Sequence, residues 1–153
     1  MASVEKSIEV EAPLAAVYNQ WTQFEEFPRF MDGVKSVAQM GDDRVHWVAE
    51  IGGKEKEWDA RITEQTPDQR IAWCSEDGAG NAGIVTFDQA GDNMTKVMLQ
   101  IDYDPEGVLE STGDVLGFVG RRVEGDLKRF KEFIEERGRA TGGWRGTIEQ
   151  TTT

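Results

Sequence analysis

The stretch that decides the fold is RVHWVAEIGGKEKEWDARI, residues 44–62. Apolar and polar residues alternate on both sides of the Gly52-Gly53 pair, a pattern typical of strands with one apolar and one polar face. Adjacent glycines accept the positive φ angles of a tight turn, so the two strands are predicted to form an antiparallel hairpin. The apolar face carries Val45, Trp47, Ala49 and Ile51 on the first strand and Trp58, Ala60 and Ile62 on the second.

The same two-residue period continues as far as Tyr103. Turn sequences interrupt it at Pro67-Asp68, Asp77-Gly78 and Gly91-Asp92-Asn93. With a strand that begins near Val34, this predicts six consecutive strands joined by short turns, an antiparallel meander with one face in water. The apolar face of the later strands carries Ile71, Trp73, Val85, Phe87, Val97, Leu99, Ile101 and Tyr103.

The N-terminal segment adds one more strand and two short helices. Residues 3–10 alternate and predict a seventh strand. Pro13 suits the first turn of a helix over 13–21. A second apolar stripe follows over 24–31, and Pro28 is expected to break or kink it.

The C-terminal part predicts one long amphipathic helix. Its apolar residues recur at steps of three and four, and they are Leu116, Val119, Val123, Leu127, Phe130 and Ile134. Lys128, Lys131 and Glu135 are expected in water, and Gly138 is a suitable C-terminal stop. The fold class is therefore α+β, a curved antiparallel sheet of about seven strands against a long helix. Residues 1–138 are predicted to form a single domain, with 139–153 as a polar, flexible tail.

The net charge of the chain limits the classes of partner that it can bind. The 153 residues carry a net charge of −12, which repels nucleic-acid phosphates and anionic headgroups. No run of about 18 apolar residues is present, so membrane insertion is not expected. Cys74 is the one cysteine, which favours a reducing cytoplasmic location. A homodimer is left open.

Residues that carry reactive groups do not form a recognisable catalytic motif. His46 lies on the polar face of its strand and is interpreted as a solvated surface histidine, while Cys74 is interpreted as a packing residue. These two residues cannot supply the four ligands of a structural zinc site, so neither a metal nor a cofactor is expected. Glu57 and Asp59 are interpreted as members of cross-strand charge pairs rather than general acids, and the catalytic residues stay unknown.

The aromatic strand residues are the strongest indication of a site. A curved sheet has more inner surface than one helix covers, and apolar pockets of this kind are the usual sites for small ligands. Gly117 and Gly120 either leave space beside the helix, let it approach the sheet closely or let the segment bend. The predicted pocket is lined by Trp47, Trp58, Trp73, Phe87, Leu99, Tyr103, Val119 and Val123.

Four segments together resemble the polyketide cyclase/dehydrase-like branch of the START-like (SRPBCC) superfamily. They are SIEVEAPLAAVYNQWTQFEEFPRFM, HWVAEIGGKEKEWDARITEQTPDQRIAW, GIVTF and GRRVEGDLKRFKEFIEER. The resemblance covers about residues 3–138 and implies a helix-grip fold with a cavity between the sheet and the C-terminal helix. Its members include aromatic polyketide cyclases, coenzyme Q-binding proteins and lipid carriers.

Three functional interpretations follow. The first is a non-catalytic protein that binds or carries a lipophilic small molecule in the apolar cavity. The second is a polyketide cyclase or dehydratase that acts on an aromatic-type intermediate, with proximity supplying much of the rate. The third is a protein-interaction or stress module with a filled core. An acid–base group on the inner face would distinguish the second from the first.

Overall fold

The protein is described by a computed structural model. The described residues are 2–31, 34–41, 43–51, 54–76, 81–103, 115–138, 140–143 and 146. Two of the predicted turns, Gly52-Gly53 and Asp77-Gly78, lie outside these ranges.

Seven strands, two α-helices and a short 3-10 helix make up the described fold. The strands are β1 (Ala2–Val10), β2 (Val34–Gln39), β3 (Arg44–Ile51), β4 (Lys54–Thr66), β5 (Arg70–Ser75), β6 (Asn81–Gly91) and β7 (Met94–Tyr103). The helices are α1 (Leu14–Trp21), the 3-10 helix (Phe24–Arg29) and α2 (Val115–Arg137). The predicted strand count, the two short helices and the long C-terminal helix are confirmed.

All seven strands belong to one curled antiparallel sheet, in the order β1-β7-β6-β5-β4-β3-β2. Consecutive strands β2 to β7 pair as a meander, and β1 returns to the far edge beside β7. The confirmed architecture is the predicted α+β helix-grip. Its inner face, defined here as the sheet surface turned toward α1 and α2, carries the apolar residue of each alternating pair.

An aromatic cluster joins the short helices to the sheet and to α2. Trp21 is 1% exposed, and its ring centroid lies 5.2 Å from Phe130 of α2, 5.4 Å from Phe27 and 6.5 Å from Phe87 of β6. Pro28 lies inside the 3-10 helix, where Phe24 and Phe27 are buried. The segment after α1 therefore stays helical in a tighter form and directs its rings into the core.

The long helix is held to β1 by polar contacts as well as by its apolar face. Leu127, Phe130 and Ile134 are buried as predicted. Lys131 and Glu135, which were expected in water, are partly exposed and also bind β1 and its flank: Lys131 Nζ donates to the Glu9 carbonyl at 3.1 Å, and the Glu11 N–H donates to Glu135 Oε2 at 2.7 Å. Lys128 is exposed as expected.

The helix ends at Gly138, which adopts a φ of 72° and donates its N–H to the Ile134 carbonyl at 2.9 Å. This is the left-handed residue that commonly terminates helices, and glycine adopts it without a Cβ clash. Beyond it, Thr141 exchanges two hydrogen bonds with the buried Gln20 side chain of α1, at 2.9 and 3.1 Å. The flexibility of residues 139–153 stays a prediction.

Candidate functional site

The strand register places the inner-face residues in rows that cross the sheet. One row runs Val4, Ile101, Gly83, Trp73 and Ile62, from β1 through β7, β6 and β5 to β4. The neighbouring row runs Lys6, Leu99, Val85, Ile71 and Gln65. These two rows cover the middle of the curled sheet and contain two of the eight residues predicted to line a pocket, Trp73 and Leu99.

Two predicted pocket residues pair directly across β3 and β4. Trp47 and Trp58 are register partners, and their rings stack with centroids 6.0 Å apart and planes within 4°. The ring centroid of Phe27, in the 3-10 helix, lies 5.6 Å from that of Trp47. Each tryptophan is 9% exposed, so most of this aromatic surface already packs against the protein.

Leu99 and two further predicted residues lie in the packed core. Phe87, Leu99 and Val123 are at most 5% exposed. The Phe87 ring meets Tyr18 of α1 edge-on at 5.4 Å. The structure therefore places these side chains between the sheet and the helices, where packing explains their apolar character.

Trp73 differs from the other described tryptophans because it is partly exposed on the inner face. Its neighbour in the row is Gly83, and a Cβ built on that glycine would lie only 2.4 Å from Trp73 Cζ2. The benzo ring of the indole therefore occupies the space that a Cβ at position 83 would need. Ile101, on the other side of Gly83, is also partly exposed. Together Trp73 and Ile101 form what we call the open inner patch.

The remaining predicted lining residues are Tyr103 and Val119. Their backbones belong to β7 and α2, but their side chains lie outside the described residues. Gly120 lies over β1, where an added Cβ would meet Lys6 Cε at 3.7 Å and Val4 Cγ1 at 3.9 Å. These are ordinary contact distances, and they place this glycine at the crossing of helix and strand.

Gln65 is an inner-face residue that the sequence reasoning missed. Ile62 pairs with Trp73, but Glu64 pairs with Ala72, so β4 contains a bulge between them. The extra residue reverses the alternation beyond Ile62. The Glu64 side chain then points outward, where its Oε2 lies 3.6 Å from Arg70 Nε. The Gln65 side chain points inward beside Ile71. A bulge of this kind redirects side chains and is frequent near functional sites.

The amide of Gln65 is buried without a described partner. The residue is 1% exposed, and neither Nε2 nor Oε1 has a hydrogen-bond partner in the described structure. An unpaired buried polar group typically costs about 1–3 kcal/mol. The sequence did contain one indication of the bulge, because unbroken alternation from Ile62 would have buried the charged Glu64.

The titratable cluster lies on the opposite, outer face. His46 Nδ1 is 2.7 Å from Asp59 Oδ1 and its Nε2 is 3.0 Å from Glu57 Oε1. Hydrogen bonds that the ring donates to the Asp59 carboxylate first, and to the Glu57 carboxylate second, raise the pKa of His46 above its ordinary value. His46 lies on the outer face, as expected of a surface histidine, and both of its ring nitrogens also have carboxylate partners.

Other charges on the outer face also pair across strands. Arg44 contacts Glu76, and Arg61 Nε lies 3.9 Å from Asp43 Oδ2. Within the described ranges, no group of three or more histidine, cysteine or acidic side chains could hold a metal ion. In the same part of the chain, no helix has the length and apolar character needed to cross a bilayer.

Comparison with known proteins agrees with this architecture. The family model for polyketide cyclase / dehydrase and lipid transport matches residues 10–132. An uncharacterized 17.2 kDa protein of Streptomyces lincolnensis is 56% identical over 149 residues, which is 97% of this chain and 99% of the relative. The chain belongs to the polyketide cyclase/dehydrase and lipid transport family, so the resemblance to the polyketide cyclase/dehydrase-like branch is confirmed.

Solved structures share the fold at lower identity. A Deinococcus radiodurans protein superposes with a TM-score of 0.70 at 27% identity, over 90% of this chain and 99% of the other. The Zhui aromatase/cyclase of Streptomyces sp. R1128 superposes with a TM-score of 0.73 at 20% identity, over 94% of this chain and 99% of the other. The second likeness shows the fold alone.

Proposed function

We propose that the protein binds a lipophilic small molecule between the inner face of the sheet and α2, as a carrier or binding protein. The observation that carries this proposal is the open inner patch. Trp73 and Ile101 face the interior of the curled sheet, yet neither is fully covered by the helices. Apolar surface left uncovered in a concave position is what a lipophilic ligand requires.

The placement of the titratable groups favours a binder over a cyclase or dehydratase. General acid–base catalysis needs a group within hydrogen-bond reach of the substrate. The His46, Asp59 and Glu57 cluster lies on the outer face of the sheet, so it cannot reach a molecule held on the inner face. An enzymatic role would have to use other residues.

Native mass spectrometry of gently purified protein tests for a co-purified small molecule. Titration with the neutral probe N-phenyl-1-naphthylamine then measures binding through quenching of tryptophan emission. Trp73→Ala should lower the affinity of the protein for the probe several-fold, because it removes the largest apolar surface of the open inner patch. Met40→Ala is the matched control, since Met40 is apolar but 50% exposed elsewhere on the surface.

Two results would contradict the proposal. One is a wild-type protein that neither carries a ligand nor binds the probe, which would favour the interaction-module alternative. The other is equal probe affinity in the wild type, Trp73→Ala and Met40→Ala, which would place the binding surface elsewhere. Turnover of an aromatic polyketide intermediate by the purified protein would instead favour the cyclase alternative.

A further inference from the structure

We propose that the Gln65 amide is the polar anchor of the ligand site, and that the ligand therefore carries a neutral hydroxyl or carbonyl group on an apolar body. This inference rests on the proposed function and specifies its ligand class. Its observations are the inward direction of Gln65, its burial and the unpaired state of both amide atoms.

The position of Gln65 relates it directly to the open inner patch. Gln65 pairs with Ile71, and Ile71 is two residues before Trp73 on the same face of β5. The amide is therefore one inner-face position away from the Trp73 indole, in the adjacent row. A ligand whose apolar body lies against Trp73 and Ile101 would direct one end toward Gln65.

The chemistry of a primary amide defines the complementary group. Nε2 donates two hydrogen bonds and Oε1 accepts. A hydroxyl group both donates and accepts, so a single phenol or alcohol can satisfy either atom, and a carbonyl can satisfy Nε2. The amide carries no charge, and the row residues nearest to it, Ile71, Val85 and Leu99, are apolar. Lys6, at the far end of the row, already pairs with Glu124 at 3.7 Å. A neutral polar group is thus favoured over a carboxylate or phosphate, whose charge would be buried without compensation.

The alternative is that Gln65 only supports the fold, for example by holding buried water. The two roles differ in what a nearly isosteric apolar replacement does. If the amide forms hydrogen bonds only with a bound ligand, Gln65→Leu removes an unpaired polar group from the unliganded protein. The unliganded variant is then as stable as the wild type or more stable. If the amide supports the fold, the same change lowers stability.

The experiment compares two competitors that differ by one group, 2-naphthol and 2-methylnaphthalene. Each displaces N-phenyl-1-naphthylamine from the wild type, Gln65→Leu, and the control Gln39→Leu, where the glutamine is exposed on β2. The measured quantity is the ratio of the two affinities within each protein, which cancels general effects on the site. Gln65→Leu should reduce the preference for 2-naphthol about tenfold, and Gln39→Leu should leave it unchanged.

Urea titration of the unliganded variants completes the test, with Gln65→Met as a second variant of similar length. The proposal is overturned if probe binding persists while the affinity ratio is the same in the wild type, Gln65→Leu and Gln65→Met. That outcome leaves the proposed function intact. Absence of any probe binding by the wild type would instead remove the proposed function and this inference together. A lower urea midpoint with an unchanged ratio assigns Gln65 to the fold.

Discussion

The contact between Trp73 and Gly83 allows a sharp test of how the inner face is built. A Cβ at position 83 would lie 2.4 Å from Trp73 Cζ2 and 2.6 Å from Cε2, whereas ordinary carbon contacts are about 3.5–4.0 Å. The indole would therefore have to move by more than about 1 Å. We expect Gly83→Ala to destabilise the fold by about 1–3 kcal/mol, the usual cost of overpacking.

A double-mutant cycle isolates the cause of that cost. In a Trp73→Leu background the indole is gone, so Gly83→Ala should be neutral or stabilising by up to about 1 kcal/mol, because alanine restricts the unfolded chain more than glycine does. Gly91→Ala is the matched control on the same strand, since its Cβ would meet only Met94 Cβ, at 3.4 Å. Urea unfolding followed by far-UV circular dichroism measures all the variants. An equal cost of Gly83→Ala in both backgrounds would refute the described packing of Trp73.

The other predictions concern the helix and the charged pairs. Leu127→Ala should cost about 2–5 kcal/mol in a urea titration, because Leu127 is 1% exposed; a change near zero would contradict its place in the core. His46→Gln should destabilise the protein more at about pH 6 than at about pH 9, because the raised pKa of His46 gives stability that is lost as pH rises through that pKa; a pH-independent difference would contradict the pairing with Asp59. Glu135→Gln should show the opposite trend. Burial acts to raise its pKa, but hydrogen bonds from Lys131 and the Glu11 N–H lower it overall, so its contribution disappears as pH falls through that pKa.

The architecture could be predicted from the sequence because its determinants are local. Alternation of apolar and polar residues sets which face of each strand is buried. A one-residue shift in the pairing register would move all the apolar side chains of that strand to the solvent face. The Pro67-Asp68 and Gly91-Asp92-Asn93 turns connect strands in the order expected, and Gly138 ends α2. The long-range pairing of β1 with β7 is not local, and the strand patterns do not predict it.

The candidate site could be predicted only in part, because exposure within the inner face depends on what covers each position. Trp47, Trp58 and Trp73 carry the same apolar pattern in the sequence. In the structure the first two stack on each other and on Phe27, whereas Trp73 rests on a glycine and stays partly exposed. Neither the stacking partner nor the coverage by a distant helix is encoded in the period of a strand.

The bulge in β4 shows why the polar part of the site was the hardest to predict. Sequence patterns assign faces by counting residues, and the extra residue between Ile62 and Glu64 changes the count for everything after it. A buried amide without a partner also contradicts the expectation that core positions are apolar or satisfied. Such violations are tolerated when another requirement compensates for them, which is why they concentrate at functional sites. The same deviation from the pattern therefore distinguishes Gln65 from its apolar neighbours Ile71, Val85 and Leu99, because packing explains those residues and does not explain a buried amide.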